Sequence, residues 1–349
     1  MVWPDELRLQ GVLTVALTIR SAFLSLLIFV TTLLGGLAPV YAEPLRIVYT
    51  AISLMYGPLW VTQEAGIFRK YNFDVELLYL SGGTLSTSAL IAGDVQIAFT
   101  GAGNVVAANL SGSDVVLLGA TIDLLPFEVW AVPTLKEASQ LKGTKMGVTR
   151  IGSTTHFVAR YVLKKWGLRP EGDVVIFQTG GQPELFAALK GGSVQTGVLN
   201  TGPFTVRAQK EGFTRLADVS AMGLRYVYGS VAARQSFLQS RPDVANRFLK
   251  AFTEGIHRFK TDKRLALATI EKYTRVKTTP DTEQVYEIYA NRYVKRAPEI
   301  PLEGMQTILE EIAASRPLPS GITPQRFLDS RYIREIVESG FVDALYRGR

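Results

Sequence analysis

The chain has 349 residues, a formal net charge of +7, no cysteine and two histidines. Without cysteine there is no disulfide, no thiolate metal site and no thiol nucleophile, and two histidines are too few for a histidine-rich metal centre. The length accommodates a leader and two domains.

Residues 1–42 read as an export signal. Arg20 supplies the positive flank, Ala22 to Leu34 are almost wholly apolar, and Val40-Tyr41-Ala42 is a small-x-small cleavage site. The apolar core is short for a membrane span, so cleavage after Ala42 and a mature protein free of the membrane are expected. With no cysteine to carry a lipid anchor, a Gram-negative periplasm is the expected compartment.

Leu45 to Thr50 alternates and is β-branched, which predicts a first strand. A helix from about Pro58 to Gly66 follows, with Pro at its start and Gly at its end. The next stretch then occurs twice. Gly82, Ala89-Leu90, Gly93 and Val95-Gln96 return 99 residues later as Gly181, Ala188-Leu189, Gly192 and Val194-Gln195. Each copy reads strand, glycine-rich turn, helix, tight turn, strand. Two such units so far apart predict two α/β lobes with a cleft between them, and clefts between domains are common ligand sites. Asp114 to Ala120 is another apolar strand, Glu128 to Pro133 a strand leaving the first lobe, and Lys145 to Thr149 the first strand of the second. Tyr226 to Ala233 is the return. Thr279-Pro280 and Thr323-Pro324 are helix starts, and from about Ser240 onward the pattern is helical. The expected division is therefore 43–132 plus 227–349 for lobe 1 and 133–226 for lobe 2.

Between Arg241 and Arg296 there are 13 basic and 7 acidic residues. They alternate along amphipathic helices, the pattern of a solvated face, so no nucleic acid partner is expected. Asp123 and Glu128, near the first crossing, are expected to be solvated hinge charges.

The strand-to-helix turns carry the chemistry. Ligands of open α/β sheets bind beyond the carboxyl ends of the strands. These turns hold Ser53 with Tyr56, Gly83-Thr84, Thr100-Gly101, Gly152-Ser153-Thr154 with His156, Gln182 and Asn200. All but His156 are neutral, and most carry a hydroxyl or amide. Free amides and the dipole at a helix start bind anions without an arginine. The same residues also serve as ordinary helix caps. His156, one turn into its helix, either donates to an anion or packs against a neighbouring carbonyl. Tyr56 and Phe127, placed in loops, are candidate lining, whereas Tyr49, Trp60 and Trp130 fit a core. No catalytic residues, cofactor or metal are expected.

The stretches YGPLWVTQEAGIFRKYNFDVELLYLSGG, ALIAGDVQIAFTG, LKGTKMGVTRIGSTTHFVARYVLKKWGL, PELFAALKGGSVQTGVL and FLDSRYIREIVESGF resemble solute-binding proteins of ABC importers. The group is that of nitrate, sulfonate and taurine, called SsuA/THI5-like or NMT1-like. The likeness runs from Pro44 onward. It implies a type II periplasmic-binding-protein fold, two α/β lobes joined by a two-crossing hinge with a helical C-terminal wrap. It also implies a monomer that captures a small organic anion and delivers it to the transmembrane subunits of an ABC permease. By position, the ligand turns of that group fall on Ser53, Gly83-Thr84, Thr100-Gly101, Gly152-Ser153-Thr154 and Asn200. Two features depart from it, the long leader and Asn200, where amine-binding relatives have a carboxylate. Asn200 argues against a cationic ligand. The rival readings are an enzyme on the same fold, which would resemble thiamin pyrimidine synthases, and a receptor presenting its ligand to a sensor. The missing cysteine cluster argues against the enzyme.

Overall fold

The computed structural model describes residues 42–314 and 317–347. The expected signal segment lies outside the described residues, apart from its last residue. No helix among the described residues is long and apolar enough to cross a membrane.

The first sheet starts with β1 (Glu43–Tyr49), followed by α1 (Gly57–Glu64), the short α2 (Ile67–Lys70), β2 (Phe73–Tyr79), α3 (Gly83–Ala92), β3 (Ile97–Thr100), α4 (Ala102–Leu110) and β4 (Val115–Ile122). The chain then enters a second sheet, built from β5 (Phe127–Ala131), β6 (Lys145–Val148), α5 (Thr154–Lys165), β7 (Val175–Gln178), α6 (Gln182–Lys190), β8 (Thr196–Asn200), α7 (Pro203–Lys210) and β9 (Thr214–Asp218). β10 (Tyr228–Arg234) returns to the first sheet. The strand orders are β2-β1-β3-β10-β4 and β7-β6-β8-β5-β9. In each sheet three parallel strands are followed by one antiparallel strand, β10 or β5, that has just crossed from the other.

β5 pairs with β8 and β9, so the second sheet begins at Phe127, ahead of the boundary expected at 133. All five of its residues are buried. An apolar run bounded by a proline looks alike whether it ends one sheet or begins the next, and only pairing decides. Glu128 is therefore no solvated hinge charge. It is buried in β5, its carboxylate accepts from Trp130 Nε1 at 3.0 Å, and burial raises its pKa. The two crossings run side by side: Tyr226 N–H donates to the Asp123 carbonyl at 3.1 Å, and Arg225 pairs with the Asp123 carboxylate at 2.9 Å.

The sequence repeat has a physical basis. Gly93 and Gly192 both turn the chain at positive φ, +86° and +75°, which glycine adopts without steric cost. The repeated glutamines then do the same work in both sheets. Gln96 bonds the backbone of Arg46 in both directions, its Oε1 accepting at 2.9 Å. Gln195 does likewise with Lys145 at 3.0 Å.

The tail comprises α8 (Gln235–Ser240), α9 (Pro242–Thr261), α10 (Lys263–Thr274), α11 (Pro280–Ile288), α12 (Leu302–Ala313), α13 (Arg331–Glu338) and α14 (Phe341–Arg347). Thr323-Pro324 opens one 3-10 turn rather than a full helix. α9 carries Phe248, Phe252 and Phe259 on its buried side. Phe248 stacks on Phe68 at 6.0 Å and Phe252 meets Phe99 at 4.9 Å, which seats the helix on the first sheet's helices and strands. Trp60 of α1 stacks on Tyr273 at 4.9 Å. Both belong to this packing, not to a ligand wall. β4, the edge of its sheet, has all eight residues buried because the tail covers it, with Ala120 N–H donating to the Pro298 carbonyl.

Candidate functional site

The two lobes meet where the strand ends of both sheets face each other, and a small cavity of about 30 Å³ lies between them. Its lining includes Thr50, Tyr56, Gly83, Gly101, Phe127, Thr149, Ser153, Thr154, Thr155, Gln182, Asn200 and Tyr228, and every lining residue is uncharged. Seven of the residues expected from the turns are among them. Gly83 lies in the first turn of α3, and Thr154 and Thr155 in that of α5. The first amides of a helix have no intrahelical acceptor. Residues from the first turns of helices in both lobes thus border one small space, where the positive ends of the helix dipoles favour an anion.

Hydrogen bonds close the cleft around it. Thr84 Oγ1 donates to the Ile151 carbonyl at 3.2 Å, Asn104 Nδ2 to the Gly152 carbonyl at 2.9 Å, and Arg150 Nε to the Ser81 carbonyl at 2.8 Å. Asn200 Nδ2 donates to the Tyr228 phenol at 2.8 Å. Gly101 matters by being small. A Cβ there would sit 2.5 Å from Thr154 Oγ1, a residue of the other lobe.

The expected residues divide by what their side chains are already doing. Thr100 is buried and does not line the cavity; its hydroxyl donates to the Gly83 carbonyl and meets Ser86 and Thr87, fixing the start of α3. Ser53 is buried outside the lining. Ser153 lines the cavity, but its hydroxyl donates to the Arg150 carbonyl at 2.7 Å and sits in a web with Thr149 and Thr155. It shapes the turn instead of offering a free donor. Gln182 accepts from the Asn200 amide at 3.0 Å and so positions β8. Tyr56 is buried, its phenol 2.6 Å from Thr50 Oγ1, and burial pushes its pKa up to about 12. Tyr56 lies in a 3-10 turn and Phe127 in β5, so both are walls of folded elements rather than loop residues.

Thr50, Thr149 and Tyr228 were not singled out in the sequence, and Thr155 was read only as part of the turn Gly152-Ser153-Thr154-Thr155-His156. Thr149 and Thr155 flank the glycine turn symmetrically, a signal that was available. Tyr228 lies in the return strand, and no local pattern brings that strand to Asn200.

His156 lies outside the small cavity. Its Nδ1 accepts the Gly152 N–H at 3.1 Å, so the ring is neutral with its proton on Nε2. Burial and then the nearby Arg160 lower its pKa below the ordinary 6.5. The unfolded chain therefore takes up this proton first on acidification, and stability falls as pH drops below about 6.5 and through the folded value. In His156→Gln that contribution should vanish. Urea midpoints of both proteins across pH 7.5 to 5 check it. A difference between them that grows in favour of the wild type on acidification contradicts it. Among the described residues no group of three histidines, aspartates or glutamates could hold a metal.

A family model described as NMT1/THI5 like matches residues 55–262. YtlA of Bacillus subtilis (strain 168), named as a binding protein, is 25% identical over 309 residues, covering 82% of this chain and 87% of YtlA. Among solved structures, the alkanesulfonate-binding protein SsuA of Xanthomonas axonopodis pv. citri, bound to MOPS, superposes with a TM-score of 0.68 at 16% identity. The match covers 82% of this chain and 98% of that one. The nitrate-binding protein NrtA of Synechocystis PCC 6803 also superposes with a TM-score of 0.68, at 14% identity over 85% and 89%. At these identities the structural likeness speaks for the fold, which is that of the type II periplasmic binding proteins.

Proposed function

The chain belongs to the NMT1/THI5-like family, and on that premise we propose that it is the periplasmic solute-binding component of an ABC importer. It captures a small organic anion, carboxylate- or sulfonate-like, between its lobes and presents it to the permease. It binds without chemical conversion. The observation that carries the reading is the small uncharged cavity onto which helix starts of both lobes converge. An anion there gains hydrogen bonds from both lobes only when they are together, so ligand and closure favour each other. The absence of any cysteine and the uncharged lining of the small cavity support binding over catalysis, since general acid–base chemistry needs a titratable group beside the reacting atoms. The leader supports export.

A thermal-shift screen of the mature protein against carboxylates, sulfonates and nitrate tests the reading. An anion at a hundred times its dissociation constant should add about 2.7 kcal/mol of stability. A panel in which amines stabilise the protein and no anion does would overturn it.

A further inference from the structure

A bound anionic head leaves unused a second cavity of about 300 Å³ that shares Ser153 and Thr154 with the first. We propose that this outer cavity receives an aromatic body attached to the anionic head, so that the ligand is an aryl carboxylate or aryl sulfonate. The inference rests on the anion-binding reading of the inner cavity and narrows it to a ligand class.

The two cavities differ tenfold in volume. The inner one, at about 30 Å³, has room for roughly two to three water-sized atoms, the size of the oxygens of a carboxylate or a sulfonate. An apolar cavity of about 150 Å³ accepts benzene, so the outer space takes one ring with room for substituents. Its walls suit a ring. Phe157 of α5 and Tyr226 of the return crossing lie 4.8 Å apart between centroids, tilted by 41°. Ala107 of α4 and Ile308 and Ile312 of α12 add further apolar lining. Offset and tilted ring contacts are the favourable ones for a further aromatic group.

The two charged residues that line this cavity, Arg160 and Glu311, are paired with each other. Arg160 Nε lies 3.3 Å from Glu311 Oε1, and Lys164 Nζ lies 3.6 Å from Glu311 Oε2. His156, which also lines the cavity, is neutral. The lining itself thus carries one paired guanidinium and carboxylate, and the second cation on Glu311, Lys164, stands outside it. The walls offer apolar contact. Ser153 and Thr154 border both spaces, so a ligand anchored at the start of α5 reaches each of them.

Titration calorimetry of the mature chain with benzoate, benzenesulfonate, acetate, methanesulfonate and nitrate decides it. Burial of a ring should make the aryl anions bind about tenfold more tightly, or better, than their short counterparts. Ala107→Phe, which fills the outer cavity, should bring that ratio down to about one, with Ala107→Leu as a milder filler should the larger side chain fail to fold. Equal affinities of aryl and short anions for the wild type would overturn this inference and leave the anion reading standing. So would an aryl preference that survives in a folded cavity-filling variant. Binding of none of the five would bring down the anion reading, and this inference with it.

Discussion

Gly101→Val should fold normally and lose ligand affinity by about a hundredfold or more, the equivalent of roughly 2.7 kcal/mol. The backbone at Gly101, φ −73° and ψ 134°, is open to any residue, so its own conformation gives no reason for glycine. The reason is across the cleft. A side chain here would press on Thr154 Oγ1 at 2.5 Å and on Asn104 Oδ1 at 2.9 Å. Asn104 is a flexible side chain of the same helix and can move, but it also makes the bond to Gly152 that joins the lobes. A β-branched residue would hold the lobes apart and deny the ligand half of its donors. Calorimetry with the best anion measures the loss, and a melting curve without ligand shows whether the fold survives. An affinity within about tenfold of wild type, at unchanged stability, would mean that closure at this point is not part of binding.

Gly255→Ala should be among the most destabilising single methyl additions in the chain. Alanine normally favours a helix interior over glycine by about 1 kcal/mol, so a gain is the default expectation. Here α9 crosses α1, and the added Cβ would overlap Thr62 Oγ1 while lying 2.8 Å from Thr62 Cβ and 3.2 Å from the Pro58 carbonyl. The threonine is held in place, since its hydroxyl donates to that same carbonyl at 2.6 Å. The two helices must separate, loosening the seat of the tail on the first sheet. Overpacking of this kind costs about 1–3 kcal/mol, and more where backbone has to move. Thr62→Ala in the same chain should recover a good part of the loss, because the two changes share one contact. Denaturant midpoints of the two single variants and the double variant measure both effects. Equal stability of Gly255→Ala and wild type would contradict the packing.

Much of this architecture was legible because it is local and occurs twice. The repeat located β2, α3 and β3 and their counterparts β7, α6 and β8. Gly93 and Gly192 proved to be the same positive-φ turn, and Gln96 and Gln195 the same strand contact, in both sheets. What local pattern could not supply was pairing. Glu128 to Pro133 reads as a strand under either assignment, and its membership of the second sheet is set by β8 and β9, some 65 to 90 residues away in the chain. The candidate site shows the same limit more sharply. Sequence pointed to the turns, but not to which hydroxyl in a turn is free. Ser153 and Thr154 are neighbours of similar chemistry. One hydroxyl is absorbed by Arg150, Thr149 and Thr155, while the other faces Gly101 across the cleft. His156 could be placed on its helix, but its protonation state depends on a backbone amide four residues earlier.

The most direct test of the account is a crystal structure of the mature protein grown with the tightest-binding anion of the panel. The account predicts the anionic group between the lobes, within hydrogen-bond distance of the first amides of α3 and α5 and beside Asn200. A ligand seated away from both helix starts, or held by charged side chains elsewhere, would contradict it.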